Sequence, residues 1–108
     1  MEVKSIEREG GVVFQVSGEI NISTSPELKK QFEKQPSAKI VVDLEKVTYI
    51  DSSGLATLVE ILKKTKQQSG SLALSGLSAK VRSLFEITKL DKLFSIVPSQ
   101  EEAVSRVK

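Results

Sequence analysis

The chain has 108 residues, the size of one small domain with a single hydrophobic core. Its 16 Lys and Arg face 14 Asp and Glu, and this net charge of +2 with scattered basic residues disfavours nucleic acid or a membrane as partner. Cys and His are absent, which excludes cysteine nucleophiles, His-based triads and Cys/His zinc sites. No apolar run approaches the length of about 18 residues typical of a membrane span, and the first residues have no signal core, so a cytoplasmic domain is expected.

The N-terminal part predicts an antiparallel hairpin followed by a helix. Residues 2–8 and 12–17 have strand character, and Gly10-Gly11 between them readily supplies the positive φ angles of a tight turn. The hydroxyl residues 23–25 precede Pro26, a pattern typical of a helix start. A helix of about ten residues should follow. Its narrow buried stripe consists of Leu28 and Phe32.

The middle of the chain predicts a central strand and a strong helix. The β-branched run 39–44 is typical of a parallel strand covered on both faces. After a short connection, residues 48–50 lead into Asp51-Ser52-Ser53-Gly54. Beyond this break, apolar residues recur at the spacing of an amphipathic helix: Leu55, Leu58, Val59 and Leu62. Polar and basic residues then run up to Gly70, which we expect to stop the helix.

The C-terminal third predicts two further helices with strands before them. Residues 72–74 form a short strand, a helix begins near Ser78, and a last strand covers residues 94–97. The capping box that starts at Ser99 opens a C-terminal helix. Strands thus alternate with helices, which predicts an α/β fold in one domain over residues 1–108. We expect a mixed, mostly parallel β-sheet of about four to five strands with about four helices.

The break at Asp51-Ser52-Ser53-Gly54 carries the functional information. Unsatisfied backbone N–H groups and the positive end of the helix dipole favour an anion there. Residue types alone leave two interpretations open: the three polar residues compete to cap the helix, or one exposed serine is a phosphorylation site. Gly54 likewise gives the turn flexibility or lets another backbone come close.

Residues 40–44 with Val47, followed by residues 49–55, resemble the central motif of bacterial anti-sigma-factor antagonists of the STAS domain class. The resemblance covers essentially the whole chain. Gly18-Glu19-Ile20 looks like the family's turn after its second strand. Later positions resemble the family's following strand and helix: Leu74, Ala79, Val81, Leu84 and Phe85. The resemblance therefore implies a small STAS-like fold.

The resemblance also implies a mechanism. In that family the unmodified antagonist binds an anti-sigma factor that is itself a serine kinase, and sigma factor is released. Phosphorylation of the serine directly after the motif Asp ends the binding, and a phosphatase restores it. By position this acceptor is Ser52, with Ser53 less favoured. The implied protein is a cytoplasmic phosphoprotein of transcription regulation that works by partner switching. It is not an enzyme, needs no cofactor or metal, and is a monomer when free.

We expect the partner to bind along the exposed helix that begins at Ser52. Loops at one end of an α/β sheet gather on one side, so the loop before the first helix should share this face. The predicted partner-binding residues are Asn21, Ser23, Thr24, Asp51, Ser52, Ser53, Gly54, Ala56, Thr57 and Glu60. Asn21 stands where family members commonly carry an acid, so it keeps the capping ability of that side chain but loses its charge.

Two other classes of function compete with this interpretation. For an enzyme, the sequence lacks both glycine-rich phosphate-binding motifs, although Asp43 and Asp51 near strand ends could hold Mg²⁺ or act as an acid and base pair. The other alternative is a STAS-type binding subunit of a lipid-transport ABC complex, or a signalling scaffold, that is not controlled by phosphorylation of Ser52. Such modules share the motif, so the motif alone does not separate them.

Overall fold

The computed structural model describes residues 1–108. The strands are β1 (Glu2–Arg8), β2 (Gly11–Ile20), β3 (Lys39–Ile50), β4 (Ser71–Ser75) and β5 (Ser95–Val97). The helices are α1 (Ser25–Lys34), α2 (Ser52–Gln67), α3 (Ala79–Ile87) and α4 (Gln100–Val107), with a 3₁₀ turn at Leu90–Lys92. Five strands and four α-helices confirm the predicted α/β class and element count. No helix combines the length and the apolar character needed to cross a membrane.

The order of strands in the sheet follows the order in the chain. β1 and β2 are antiparallel, and all later neighbours are parallel. Each parallel connection steps to the next strand in the same direction, and right-handed crossovers then place every connecting helix on one face. Helices α1, α2 and α3 accordingly share one face of the sheet, and α4 covers the other.

Two apolar clusters hold these layers together. The larger contains 20 buried residues beneath α1, α2 and α3, and the smaller contains 7 residues beneath α4. Successive residues of β3 enter different clusters, Val41 the smaller and Val42 the larger. This double burial explains why the β3 sequence is a continuous apolar run, and it confirms the predicted central strand.

The hairpin turn differs in detail from the prediction. The residues with positive φ are Glu9 at 49° and Gly10 at 83°, the pattern of a two-residue hairpin turn. Gly11 already belongs to β2. It is needed for space, because a Cβ there would lie 2.7 Å from the carbonyl oxygen of Lys39 on the neighbouring strand.

Strands β2 and β3 are longer than predicted. The expected turn Gly18-Glu19-Ile20 is the end of β2, and the expected connection 45–47 lies inside β3. The two strands pair here through register shifts around residues 15–19, with Gly18 opposite Val47, and Gly18 has a φ of 90°. In the sequence alone, the residues of such an irregular strand segment have the pattern of a turn. Its consequence is that Ile20 and Ile50 end their strands side by side.

The helix boundaries mostly follow the predicted caps. The Ser78 and Ser99 hydroxyls accept hydrogen bonds from the N–H groups of Val81 and Glu102, both at 3.2 Å. Helix α2 ends at Gln67, and the left-handed residue after it is Ser69. The N-cap of α1 is the hydroxyl residue Thr24, as the pattern before Pro26 predicts, but its side chain makes no capping hydrogen bond.

Candidate functional site

Asp51 is the residue that caps α2. Its Oδ1 accepts a hydrogen bond from the backbone N–H of Gly54 at 2.8 Å, and its backbone is extended, as an N-cap requires. Its Oδ2 accepts a second hydrogen bond from the backbone N–H of Ile22 at 3.1 Å. One carboxylate therefore joins the start of α2 to the loop between β2 and α1.

The two serine hydroxyls are left without a capping role. Ser52 is the first residue of α2 and is exposed, whereas Ser53 is half-buried. Neither hydroxyl forms a hydrogen bond within the chain. The Ser52 hydroxyl thus lies free at the positive end of the α2 dipole, where a phosphate would gain from the dipole and the nearby N–H groups.

The loop from Asn21 to Thr24 is closed by its own side chains. Asn21 Oδ1 accepts hydrogen bonds from the N–H groups of Ser23 at 2.9 Å and Thr24 at 3.1 Å. Thr24 Oγ1 accepts from the Asn21 N–H at 2.8 Å and donates to the Glu19 carbonyl at 2.9 Å, which is why it does not cap α1. Asn21 therefore has the capping role expected of it, and the loop lies at the same end of the sheet as Ser52.

Gly54 is buried and lets the start of α2 pack closely against the ends of β2 and β3. A Cβ there would lie 2.5 Å from the carbonyl oxygen of Ile20 and 2.7 Å from Cγ2 of Ile50. Its φ is not in the left-handed region, so close approach, not flexibility, explains the glycine. The approaching backbone belongs to β2 of this chain. Gly54 was predicted to contact a partner, and in the free chain it is buried.

The other predicted residues of α2 differ in burial and in their contacts. Glu60 forms an ion pair with Lys29 of α1, with 3.0 Å between Nζ and Oε2. The hydrogen bond from Lys29 lowers the pKa of Glu60, and the same bond raises the pKa of Lys29. Thr57 is half-buried. The Glu60 carboxylate is therefore already paired with Lys29. Ser52, Ala56 and Glu60 line a groove between α2 and the segment after α3.

This groove was missed by the sequence analysis. It has a volume of about 570 Å³, and Leu55, Val59, Thr88 and Leu90 line it together with the exposed Ser52 and Ala56. Ile87, next to Thr88 in the chain, is 77% exposed, and Ile22 in the Asp51-bound loop is 73% exposed. A signal existed for both isoleucines: Ile22 lies among polar loop residues, and Ile87 lies off the stripe formed by Val81 and Phe85.

The structure does not bring Asp43 and Asp51 together as a catalytic or metal-binding pair. Asp43 is buried, and its Oδ2 accepts a hydrogen bond from Nε2 of Gln100 in α4 at 2.9 Å. Its Oδ1 accepts the backbone N–H of Glu45 at 3.0 Å. Asp43 thus faces α4, while Asp51 begins α2 on the opposite face, and each carboxylate holds structural N–H groups.

Comparisons with known proteins define the class of this fold and site. A family model described as the STAS domain matches residues 2–103. Because this match spans most of the chain, the protein belongs to the STAS domain family. The resemblance and the fold inferred from the sequence are thereby confirmed.

The relatives place the chain more narrowly within that family. The anti-sigma-B factor antagonist of Bacillus subtilis (strain 168) is 32% identical over 100 residues, which cover 91% of this chain and 92% of the relative. The protein of the same name from Listeria monocytogenes is 37% identical over 99 residues, 89% of this chain and 86% of the relative. A solved anti-sigma factor antagonist from Mycobacterium paratuberculosis has a TM-score of 0.88 at 27% identity, covering 98% of this chain and 92% of the other.

Proposed function

We propose that this protein is an anti-sigma-factor antagonist controlled by phosphorylation of Ser52. In its unmodified form it binds an anti-sigma factor that is also a serine kinase, and sigma factor is set free. The kinase phosphorylates Ser52, the complex separates, and a phosphatase returns the antagonist to its binding form. The protein itself catalyses no reaction, takes no cofactor and is a cytoplasmic monomer when free.

The observation that carries this proposal is the free hydroxyl of Ser52. Asp51 already satisfies the N–H of Gly54 at 2.8 Å, so folding does not need the serine as a cap. The hydroxyl is exposed and makes no bond within the chain, so a kinase can reach it without unfolding the helix. This arrangement supports Ser52 over the half-buried Ser53 as the acceptor.

The surroundings of Ser52 support a protein partner. Half of the residues that line the groove beside it are apolar, namely Leu55, Ala56, Val59 and Leu90. Ile22 and Ile87 are the most exposed large apolar residues of the chain. Exposed apolar side chains grouped around a modifiable residue are typical of a docking surface. We infer that the partner covers the groove and Ile22 and thereby encloses Ser52.

The physical effect of phosphorylation differs between the free and bound states. In the free protein, a phosphate at the start of α2 gains about 0.3–1 kcal/mol from the helix dipole, so the fold is retained. In the complex, the same dianion must lose water and lie beside the carboxylate of Asp51, and this costs several kcal/mol. A penalty of about 3 kcal/mol already lowers affinity more than a hundredfold.

The test uses four tagged baits in a lysate of the source organism: wild type, Ser52→Ala, Ser52→Asp and the matched control Ser53→Asp. Circular dichroism checks the fold of each bait, and mass spectrometry identifies the captured proteins. We expect wild type, Ser52→Ala and Ser53→Asp to retain a kinase-fold protein that Ser52→Asp loses. The captured kinase, purified and supplied with ATP, should add one phosphoryl group to wild type and none to Ser52→Ala.

Two outcomes would overturn the proposal. If wild type and Ser52→Asp retain the same transporter or scaffold proteins, the chain is a binding module that Ser52 does not control. If Ser53→Asp alone loses the kinase and Ser53 receives the phosphate, the acceptor is wrong although the mechanism stands.

A further inference from the structure

A second concave site lies at the end of the sheet opposite to Ser52. It is a cleft of about 270 Å³ where β4 and β5 begin and where α2 and α4 end. Lys66, which lines it, is 14 residues beyond Ser52 on α2, so the two sites are about 21 Å apart along the helix. Nothing in the proposed function uses this cleft.

The cleft combines an apolar floor with cationic walls. Leu62, Leu72 and Val107 form the floor, each 6% exposed, and Leu93 stands beside them with 53% of its surface exposed. Lys66 and Arg106 are the charged residues that line it, and no Asp or Glu does. The site therefore offers positive charge next to apolar surface.

The two cations remain available to a ligand. Neither Lys66 nor Arg106 takes part in any of the four ion pairs of the chain. Both lie in the last turns of their helices, where the negative ends of the dipoles stabilise positive charge. Nη1 of Arg106 donates a hydrogen bond to Ser95 Oγ at 3.0 Å, which orients the guanidinium at the cleft and leaves its other N–H groups free.

We propose that this cleft binds a small amphiphilic carboxylate, whose apolar chain covers the leucine floor and whose head group lies between Lys66 and Arg106. An uncharged apolar molecule would leave both cations unpaired, and a small hydrophilic anion would leave the floor exposed to water. The volume is slightly below the range of about 300–1,000 Å³ typical of ligand sites, which favours a short, flexible chain.

The test is an NMR titration of the isotopically labelled full chain with octanoate below its micelle concentration. Acetate supplies the head group without the chain, and octanol supplies the chain without the charge. Octanoate should give saturable shifts of the amide signals of Leu72, Leu93, Ser95 and Val107. It should bind about tenfold more tightly than either acetate or octanol, because each of them lacks one half of the interaction.

Variants distinguish octanoate binding in the cleft from non-specific binding elsewhere on the protein surface. Lys66→Gln and Arg106→Gln should each weaken octanoate about fivefold, and Leu93→Ser should weaken octanoate without changing the response to acetate. Lys30→Gln, which removes an exposed cation on α1, should leave octanoate binding unchanged, as should Ser52→Asp. The amide spectrum of each variant also reports whether it is folded. The proposal is wrong if octanoate shifts do not saturate, if acetate binds as well as octanoate, or if the folded cleft variants bind like wild type.

Discussion

The Oδ2 atom of Asp51 accepts a hydrogen bond from the backbone N–H of Ile22, 29 residues earlier in the chain, at 3.1 Å. The same carboxylate caps α2 through its other oxygen. The helix start that bears Ser52 and the loop that bears the exposed Ile22 are therefore held in one arrangement. Any partner that recognises both depends on Asp51 as a positioning residue.

Replacement of Asp51 should reveal its two hydrogen bonds separately. Asp51→Ala removes both acceptors, and we expect a loss of about 2 kcal/mol in the free energy of unfolding by urea. Asp51→Asn retains one acceptor for Gly54 but presents an NH₂ group to the N–H of Ile22, so about 1 kcal/mol should be lost. In hydrogen exchange, the Ile22 amide should lose protection in both variants and the Gly54 amide only in Asp51→Ala.

Ser53→Ala is the matched control for this pair. The Ser53 hydroxyl makes no hydrogen bond, so its removal should change stability by less than about 0.5 kcal/mol. If Ser53→Ala costs as much as Asp51→Ala, the serine and not the aspartate caps the helix, contrary to the geometry described above.

Gly54→Ala tests whether the glycine is needed for close packing or only for backbone flexibility. In an unobstructed helix, alanine in place of glycine gains about 1 kcal/mol. Here the added Cβ would lie 2.5 Å from the Ile20 carbonyl oxygen, so we expect a loss of about 1–3 kcal/mol as the neighbours are displaced. Chemical denaturation gives the sign directly. The reverse change at the exposed neighbour, Ala56→Gly, should cost about 1 kcal/mol through helix propensity alone. Stabilisation by Gly54→Ala would refute the packing argument.

Two buried serines should respond in opposite ways to the same substitution. Ser75 is fully buried, and its hydroxyl has no hydrogen-bond partner. Ser75→Ala should therefore leave stability unchanged or raise it by up to about 1 kcal/mol. Ser25 is also buried, but its hydroxyl donates to the Asn21 carbonyl at 2.7 Å. Ser25→Ala should cost about 1–2 kcal/mol. Equal effects in thermal or urea unfolding would contradict this distinction.

The ion pair between Lys29 and Glu60 predicts a pH dependence. The Lys29 hydrogen bond lowers the pKa of Glu60, so its stabilising effect is present above the ordinary glutamate pKa and is lost as the pH falls through the lowered value. The pKa of Lys29 is raised, so its effect is present below the ordinary lysine pKa and is lost as the pH rises through the raised value. The difference in stability between wild type and Lys29→Gln should therefore be greatest between these limits.

An NMR titration of the Glu60 carboxyl carbon measures the same coupling. Lys29→Gln should raise the pKa of Glu60 toward its ordinary value, and Lys30→Gln, on the same helix, should not. Because both partners are exposed, high salt should weaken the effect. An unchanged Glu60 pKa in Lys29→Gln would show that the pair is absent in solution.

Much of the fold could be predicted because its signals are local. Each of these signals lies within a short stretch of sequence. Examples are the hydroxyl caps at Ser78 and Ser99, the apolar spacing of α2, and the continuous apolar run of β3. The position of Ser52 at a helix start has the same local origin. Where pairing between distant strands decides the structure, as in the extension of β2 through Gly18 and β3 through 45–47, the local signal was misleading.

The sequence alone thus determined the element order, the α/β class and the serine at the start of α2, since capping and periodicity depend on neighbouring residues. The tertiary structure was needed to show that Asp51 also accepts a hydrogen bond from the Ile22 N–H, and that the Ile20 carbonyl oxygen leaves no space for a Cβ at Gly54. These features depend on how β2 and β3 end together and on how the helices pack across the sheet. Such contacts join residues about thirty positions apart, so no local pattern can specify them.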